Sequence, residues 1–83
     1  MSETQNLRSL ISTILNRVLG RAVAAFADND DLTQTIGLNS LDLAMAVVGL
    51  EQELGVDPFR KGAAPVKTFG DLVAVYEKAV AAE

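Results

Sequence analysis

The chain has 83 residues, enough for one small domain with a modest core, and we treat residues 1–83 as a single domain. It contains no cysteine and no histidine, which removes thiolate chemistry, the commonest general base and the commonest metal ligand, so we expect neither an enzyme nor a metal site. The formal net charge is −4, and no basic residue stands between Arg21 and Arg60, which disfavours nucleic acid as a partner.

The first predicted element is an amphipathic helix that ends near Gly20. Ser2 followed by Gln5 forms a weak capping box at its start. Apolar residues then recur at the spacing of one helix face: Leu7, Leu10, Ile11, Ile14, Leu15, Val18 and Leu19. Residues 1–12 lack the pattern of a secretion signal, and no apolar run is long enough for a bilayer. We therefore expect a cytoplasmic protein that does not insert into membranes.

Residues 20–39 are predicted to form a long ordered loop. Five apolar residues are expected to hold it against the core: Val23, Phe26, Leu32, Ile36 and Leu38. The acidic run at positions 28–31 begins like a calcium-binding loop, but Leu32 stands at a ligand position and the required glycine is missing. We therefore expect no calcium site in this loop.

A second helix is predicted from about Ser40 to Leu54. Asn39 or Ser40 can serve as its N-terminal cap, because both residue types accept hydrogen bonds from the first turn. Gly55 follows the last apolar residue and ends the helix.

Two more helices are predicted after Gly55. A short one begins at Asp57-Pro58 and closes before Pro65. The last begins with a capping box of Thr68 and Asp71, and it carries an apolar stripe: Phe69, Leu72, Val73, Tyr76, Ala79 and Val80. The predicted fold class is all-α: a small four-helix bundle of three long helices and one short helix, with a long ordered loop between helices 1 and 2.

The second helix carries more apolar residues than one buried face needs. Its predicted core stripe consists of Leu43, Val47, Leu50 and Leu54. Leu41, Met45 and Val48 fall nearly opposite that stripe, close to the acids Asp42 and Glu51. An apolar patch beside acids is typical of a surface that docks a partner. The alternative is a central helix that is buried on every side.

Ser40 lies in a motif that suggests more than a helix cap. The segment Gly37-Leu38-Asn39-Ser40-Leu41 resembles the signature of acyl and peptidyl carrier proteins, usually Gly-x-Asp-Ser-Leu. The resemblance continues before and after it, in Asp30-Asp31-Leu32, in Leu50-Glu51-Gln52-Glu53-Leu54-Gly55-Val56 and in Thr68-Phe69-Gly70-Asp71-Leu72. It therefore spans nearly the whole chain.

The resemblance implies a function for Ser40. In carrier proteins a phosphopantetheinyl transferase moves the 4′-phosphopantetheine arm of coenzyme A onto the motif serine. The terminal thiol of the arm then holds an acyl or aminoacyl cargo as a thioester, as in fatty acid or polyketide biosynthesis. Carried onto this chain, Ser40 is the attachment site of a covalent cofactor. The expected partners are the transferase, an acyl- or aminoacyl-loading enzyme and downstream synthase enzymes, and the carrier itself is expected to be a monomer.

The resemblance also implies which residues meet these enzymes. We expect the partner-binding residues to be Asn39, Leu41, Asp42, Met45, Val48 and Glu51. Two of them depart from the family pattern, since Asn39 replaces the usual aspartate and Met45 replaces an acid found in many fatty-acid carriers. The acidic stretch predicts association that is steered by charge and screened by salt. The departures leave almost wholly apolar docking as the alternative.

Other functions fit the sequence less well. The main alternative is a non-catalytic helical adaptor whose Ser40 only caps a helix. A small hydrolase lacks a base for its nucleophile. A helix-turn-helix DNA-binding protein would have to present an acidic recognition helix to phosphates.

Overall fold

The first helix forms where the apolar stripe predicted it. The computed structural model describes residues 3–20, 26–60, 62 and 65–81, and α1 runs over Glu3–Leu19. Its stripe packs into the core, with four residues buried (Leu7, Ile11, Ile14 and Leu15) and three packed at the edge (Leu10, Val18 and Leu19). The predicted stop at Gly20 is confirmed. Ser2, the predicted cap, lies outside the described residues.

The second helix, α2, runs over Ser40–Leu54 and matches its predicted bounds. It ends at Gly55, whose N–H donates to the carbonyl of Glu51 at 2.8 Å. Leu50 and Ala46 are completely buried, whereas Leu43 and Leu54 are half-buried against the core. The predicted stripe is therefore only partly right, because the buried face includes Ala46 and has Val47 at its margin.

The third helix, α3, runs over Phe69–Ala81 and begins with the predicted capping box. The Asp71 N–H donates to Thr68 Oγ1 at 3.1 Å, and the Thr68 N–H donates to Asp71 Oδ2 at 3.2 Å. Its stripe is buried at Phe69, Leu72, Val73 and Tyr76. Both α2 and α3 pack against α1, so the core lies between the three helices.

The short helix predicted at Asp57-Pro58 does not appear among the described residues. Positions 58–60 form a turn, in which the Arg60 N–H donates to Asp57 Oδ1 at 3.1 Å. The Gly62 N–H donates to the carbonyl of Phe59 at 3.2 Å, a three-residue spacing that closes a turn. The described part of the chain is thus all-helical with three helices and no strand, so the fourth helix is not confirmed. Lys61, Ala63 and Ala64 lie outside it.

Residues 26–39 lie between α1 and α2 and are held against the core by apolar side chains. Leu32, Ile36 and Leu38 are buried, as predicted, and Phe26 packs its ring 5.5 Å from that of Phe69. Val23, the remaining predicted anchor, lies outside the described residues. The full extent of the predicted ordered loop is therefore not confirmed.

This connection is tied to the start of α3. An isolated antiparallel bridge joins Asp31 to Thr68. The N–H groups of Leu32, Phe69 and Gly70 complete it by donating to the carbonyls of Lys67, Asp30 and Asp28, at 2.8, 2.9 and 2.8 Å. A Cβ at position 70 would lie 2.9 Å from the carbonyl oxygen of Asp28, so only glycine allows this approach.

An ion pair strengthens the same junction from α1. The guanidinium of Arg8 pairs with Asp28 and lies 5.9 Å from the centre of the Phe69 ring. In the described ranges, no helix is long and apolar enough to cross a bilayer.

Candidate functional site at the start of the second helix

The backbone before α2 turns Ser40 outward. Gly37 has a φ of 93°, a conformation that favours glycine because it has no Cβ. The next residue, Leu38, is buried, and its N–H donates to the carbonyl of Leu32 at 2.9 Å. These two residues fix the chain to the core, so that Asn39 and Ser40 follow on the exposed surface.

Asn39, rather than Ser40, is the N-terminal cap of α2. Asn39 Oδ1 accepts the Asp42 N–H at 2.7 Å, and the Asn39 N–H donates to Asp42 Oδ2 at 3.2 Å. This reciprocal pair is a capping box. The interpretation of Ser40 as a simple cap is therefore wrong, because the cap position is occupied. Among the described contacts, the Ser40 hydroxyl has no hydrogen-bond partner, which leaves it available for modification.

The position of Ser40 suits a negatively charged group. It is the first residue of α2, where the helix dipole and unpaired backbone N–H groups favour anions. The Asp42 carboxylate accepts the Asn39 N–H, and at about 100° per residue Asp42 lies on the far side of the helix from Ser40. The hydroxyl and the helix terminus therefore fit a phosphodiester on Ser40 Oγ.

The predicted apolar patch lies on the surface. The side chains of Leu41, Met45 and Val48 are 68%, 46% and 56% exposed, and they are the exposed large hydrophobic residues of the described chain. The alternative of a helix buried on every side is therefore wrong. The patch begins beside Ser40 and extends along the same face of α2.

The predicted acidic residues take different positions around this patch. Asp42 belongs to the capping box, and its side chain is half-buried. Glu51 lies on the patch side but is 3.9 Å from the guanidinium of Arg60, which is also 3.6 Å from Asp57. At about 100° per residue, Glu51 flanks the patch next to Val48 on the side of Ser40, and Asp42 flanks it next to Met45 on the side away from Ser40.

An apolar groove beside Ser40 was missed by the sequence reasoning. It has a volume of about 590 Å³ and lies between α2 and the residues Phe59, Pro65 and Val66. Its lining consists of Ser40, Leu43, Ala44, Val47, Val48, Phe59, Pro65 and Val66. Leu43, which also packs against the core as predicted, lines this groove together with Val47. The sequence did contain a signal for this groove, because the apolar residues Phe59 and Val66 belong to none of the predicted stripes.

Phe59 is held in the groove wall by the core. Its ring lies edge-on to Tyr76, with ring centres 6.1 Å apart. Tyr76 is completely buried, and burial raises the pKa of its hydroxyl, with further contributions from the charges of Asp57 and Glu51. The wall is therefore attached to α3 by ring packing and to α2 by the Arg60–Glu51 pair.

Comparison with known proteins agrees with the geometry. A family model described as a phosphopantetheine attachment site matches residues 9–59, more than half of the chain. The matched region contains three serines: Ser9 and Ser12 within α1, and Ser40 at the start of α2. Neither the curated proteins nor the solved structures give a significant match.

Proposed function

The chain belongs to the family of phosphopantetheine attachment domains, and from this we propose that it is a carrier protein modified at Ser40. In this proposal Ser40 holds 4′-phosphopantetheine and delivers acyl or aminoacyl thioesters to partner enzymes. The observation that carries the assignment is the exposed Ser40 hydroxyl, which starts α2 without capping it. The other serines of the matched region, Ser9 and Ser12, lie within α1 and lack such a position.

The residues of the chain favour attachment without performing it. Ser40 Oγ forms the new bond to phosphorus, and the bond from that phosphorus to the nucleotide part of coenzyme A breaks. The transferase takes the hydroxyl proton, because the chain has no histidine to serve as the base. The bound arm supplies a thiol that the chain itself lacks. The first turn of α2 favours the phosphate charge.

The remaining parts of the proposal concern partners and setting. We propose that the carrier is a non-catalytic cytoplasmic monomer that serves fatty acid or polyketide biosynthesis. Its partner-binding residues are Leu41, Met45, Val48 and Glu51, with Asn39 and Asp42 acting through the shape of the helix start. The groove favours an aliphatic acyl cargo over an aminoacyl one, since its lining is almost entirely apolar.

Intact-mass measurement tests the proposed function. The purified protein is incubated with coenzyme A and a broad-range phosphopantetheinyl transferase. We expect wild type to gain one phosphopantetheine, Ser12→Ala to gain the same mass, and Ser40→Ala to gain none. Ser40→Ala should keep its melting temperature, because Asn39 rather than Ser40 caps the helix.

The same experiment distinguishes the proposed carrier protein from the main alternative, a helical adaptor. A helical adaptor would use the exposed face of α2 without any attached group. Absence of a mass gain in folded wild type, under conditions that modify a known carrier protein, would favour the adaptor. Equal gains by wild type and Ser40→Ala would instead place the modification at another residue.

A further inference from the structure

We propose that the buried hydroxyl of Tyr76 donates a hydrogen bond to an oxygen atom on the acyl chain of the cargo, so that the protein selects oxo- or hydroxyacyl chains over saturated ones. This inference rests on the proposed function, because it concerns the cargo that Ser40 would carry. Neither the packing of the helices nor attachment at Ser40 uses the Tyr76 hydroxyl.

The Tyr76 hydroxyl is buried without a partner. Tyr76 belongs to α3, and its side chain is completely buried. Within the described residues, its Oη makes no hydrogen bond. A buried donor that has lost water without gaining an acceptor is unfavourable, and such groups are rare in folded proteins. Burial also raises the pKa of this hydroxyl well above its ordinary value, so it keeps its proton at neutral pH and can donate.

Two carboxylates lie near this hydroxyl, but both are directed to Arg60. The charges of Asp57 and Glu51 contribute to the raised pKa of Tyr76, so both lie within electrostatic range of its hydroxyl. Asp57 Oδ1 accepts the Arg60 N–H at 3.1 Å, and Asp57 Oδ2 lies 3.6 Å from Arg60 Nε. Glu51 Oε1 lies 3.9 Å from the Arg60 guanidinium. The hydroxyl therefore needs an acceptor that these acids do not supply.

The groove beside Ser40 extends toward these polar groups. At about 100° per residue, Ser40, Val47 and Glu51 lie within about 40° of one another around the axis of α2. Ser40 and Val47 line the groove, so Glu51 stands on the same face about one turn beyond Val47. The helix rises about 16 Å from Ser40 to Glu51. The end of the groove that is distant from Ser40 thus lies toward Glu51 and the hydroxyl of Tyr76.

The ring of Phe59 separates the groove from Tyr76. Phe59 lines the groove, and its ring lies edge-on to that of Tyr76 with the centres 6.1 Å apart. It is half-buried and belongs to the turn at positions 58–60, so its ring can change rotamer without moving a helix. Such a change would extend the groove toward the Tyr76 hydroxyl.

The chemistry of this path indicates its occupant. Apart from Ser40, the groove is lined by apolar residues, which suit a hydrocarbon chain. A saturated chain would leave the Tyr76 hydroxyl unpaired. A carboxylate on the chain would meet Glu51 and Asp57, two acids that share the single charge of Arg60. A neutral carbonyl or hydroxyl oxygen would accept the hydrogen bond without that repulsion.

Loading with matched acyl chains tests this inference. A broad-range phosphopantetheinyl transferase loads the protein from the coenzyme A esters of octanoic acid and of its 3-oxo, 5-oxo and 7-oxo derivatives, and intact mass verifies each product. We expect at least one oxo-loaded form to melt about 4 °C or more above the octanoyl form, because the buried hydroxyl gains its acceptor.

The tyrosine itself supplies a second readout. Tyr76 is the single tyrosine of a chain that has no tryptophan, so near-ultraviolet absorbance reports on this side chain. A phenol that donates a hydrogen bond absorbs at longer wavelength. The oxo-loaded form that melts highest should therefore show the tyrosine absorbance shifted to longer wavelength than in the octanoyl form.

Variants separate the hydroxyl from the ring. Tyr76→Phe removes the hydroxyl alone, and without cargo it should melt at or above the wild-type temperature, because no hydrogen bond is lost. Its oxo-loaded forms should melt no higher than its octanoyl-loaded form. Thr13→Val removes a hydroxyl from the exposed surface of α1 and should keep the wild-type difference between oxo and octanoyl forms.

The outcomes distinguish a failure of this inference from a failure of the proposed function. If folded wild type gains no acyl-phosphopantetheine mass, the proposed function fails. If all four forms are loaded but melt within about 1 °C of one another with the same tyrosine absorbance, only the role of Tyr76 is overturned. The same holds if Tyr76→Phe keeps the difference between oxo and octanoyl forms. Melting of unloaded Tyr76→Phe about 4 °C or more below wild type would mean that the hydroxyl already has a partner, which also overturns this role.

Discussion

Asn39 precedes the serine that we propose is modified, and it also starts the helix that carries that serine. Its side-chain oxygen accepts the Asp42 N–H, and its backbone N–H donates to the Asp42 carboxylate. Asparagine and aspartate both provide an oxygen for this contact, so the departure from the usual family residue preserves the cap. What changes is the charge next to Ser40.

Substitutions at Asn39 should separate capping from charge. We expect Asn39→Ala to lower the free energy of unfolding by about 1 kcal/mol, because the first turn of α2 loses its acceptor. Asn39→Asp should retain the wild-type stability or slightly increase it, since a carboxylate also interacts well with the helix dipole. Urea unfolding followed by circular dichroism measures both. Equal losses in the two variants would mean that the cap does not hold α2.

The cap itself could be predicted only as one of two adjacent residues. Asn39 and Ser40 have similar capping preference, and sequence alone does not show which of them leaves the helical backbone conformation. The structure decides the matter, because Asn39 has the extended backbone of a cap and Ser40 is already helical. The motif around Ser40 could be recognised from the sequence. That Ser40 does not cap the helix could be learned only from the structure.

At the scale of elements, α2 has three surfaces: a buried face, the exposed apolar patch of Leu41, Met45 and Val48, and the floor of the groove. Periodicity predicted the first two, but Ala46 was missed from the buried face because a small side chain contributes little to an apolar stripe. The groove could not be predicted, because the residues of its other wall, Phe59, Pro65 and Val66, lie outside the helices and follow no periodic pattern. The Asp57-Pro58 pair has the chemistry of a helix start, yet the described residues after it close a turn.

The groove makes a prediction about cargo. If it shelters an aliphatic chain, octanoyl-loaded protein should melt at a higher temperature than acetyl-loaded protein, with each buried CH₂ contributing at most about 0.8 kcal/mol. Ala44→Phe should fill the groove and remove the difference, since Ala44 lines it. Met45→Gln, which alters a residue that does not line the groove, should preserve the difference. Identical melting of the two loaded wild-type forms would show that the chain stays in solvent.

Across the whole molecule, three aspartates make stability depend on pH. The pKa of Asp28 is lowered by its hydrogen bond from Arg8. Backbone N–H groups lower the pKa of Asp31, mainly that of Gln34, and the pKa of Asp71, mainly that of Thr68. The unfolded chain therefore binds protons at higher pH than the folded chain does. The resulting stability is present above the ordinary carboxyl pKa and is lost as pH falls through the lowered values.

Thermal melting against pH measures this effect. We expect the melting temperature to stay constant from about pH 7 to about pH 5 and to fall below about pH 4. A double variant, Asp31→Asn with Asp71→Asn, keeps oxygen acceptors at both positions but cannot ionise there. Its melting temperature should fall less steeply than that of wild type below about pH 4. Parallel curves would show that these carboxylates do not contribute to the dependence.

The helical class of the molecule was predictable because three long stripes repeat at helical spacing. The bridge between Asp31 and Thr68 was not, because it is one isolated pair that leaves no alternating pattern in either segment. Its partners are also far apart along the chain, and local propensity carries no information about such pairs. The close approach of Gly70 to the Asp28 carbonyl accompanies this bridge and could not be predicted either.

The same bridge has a consequence for protein synthesis. A nascent chain emerges from the ribosome beginning at its N-terminus, so Ser40 leaves the exit tunnel before positions 67–70 do. Until those positions emerge, the N–H of Leu32 and the carbonyls of Asp28 and Asp30 lack the partners they have in the folded protein. The segment leading to Ser40 therefore reaches its final arrangement only after Gly70 has left the exit tunnel.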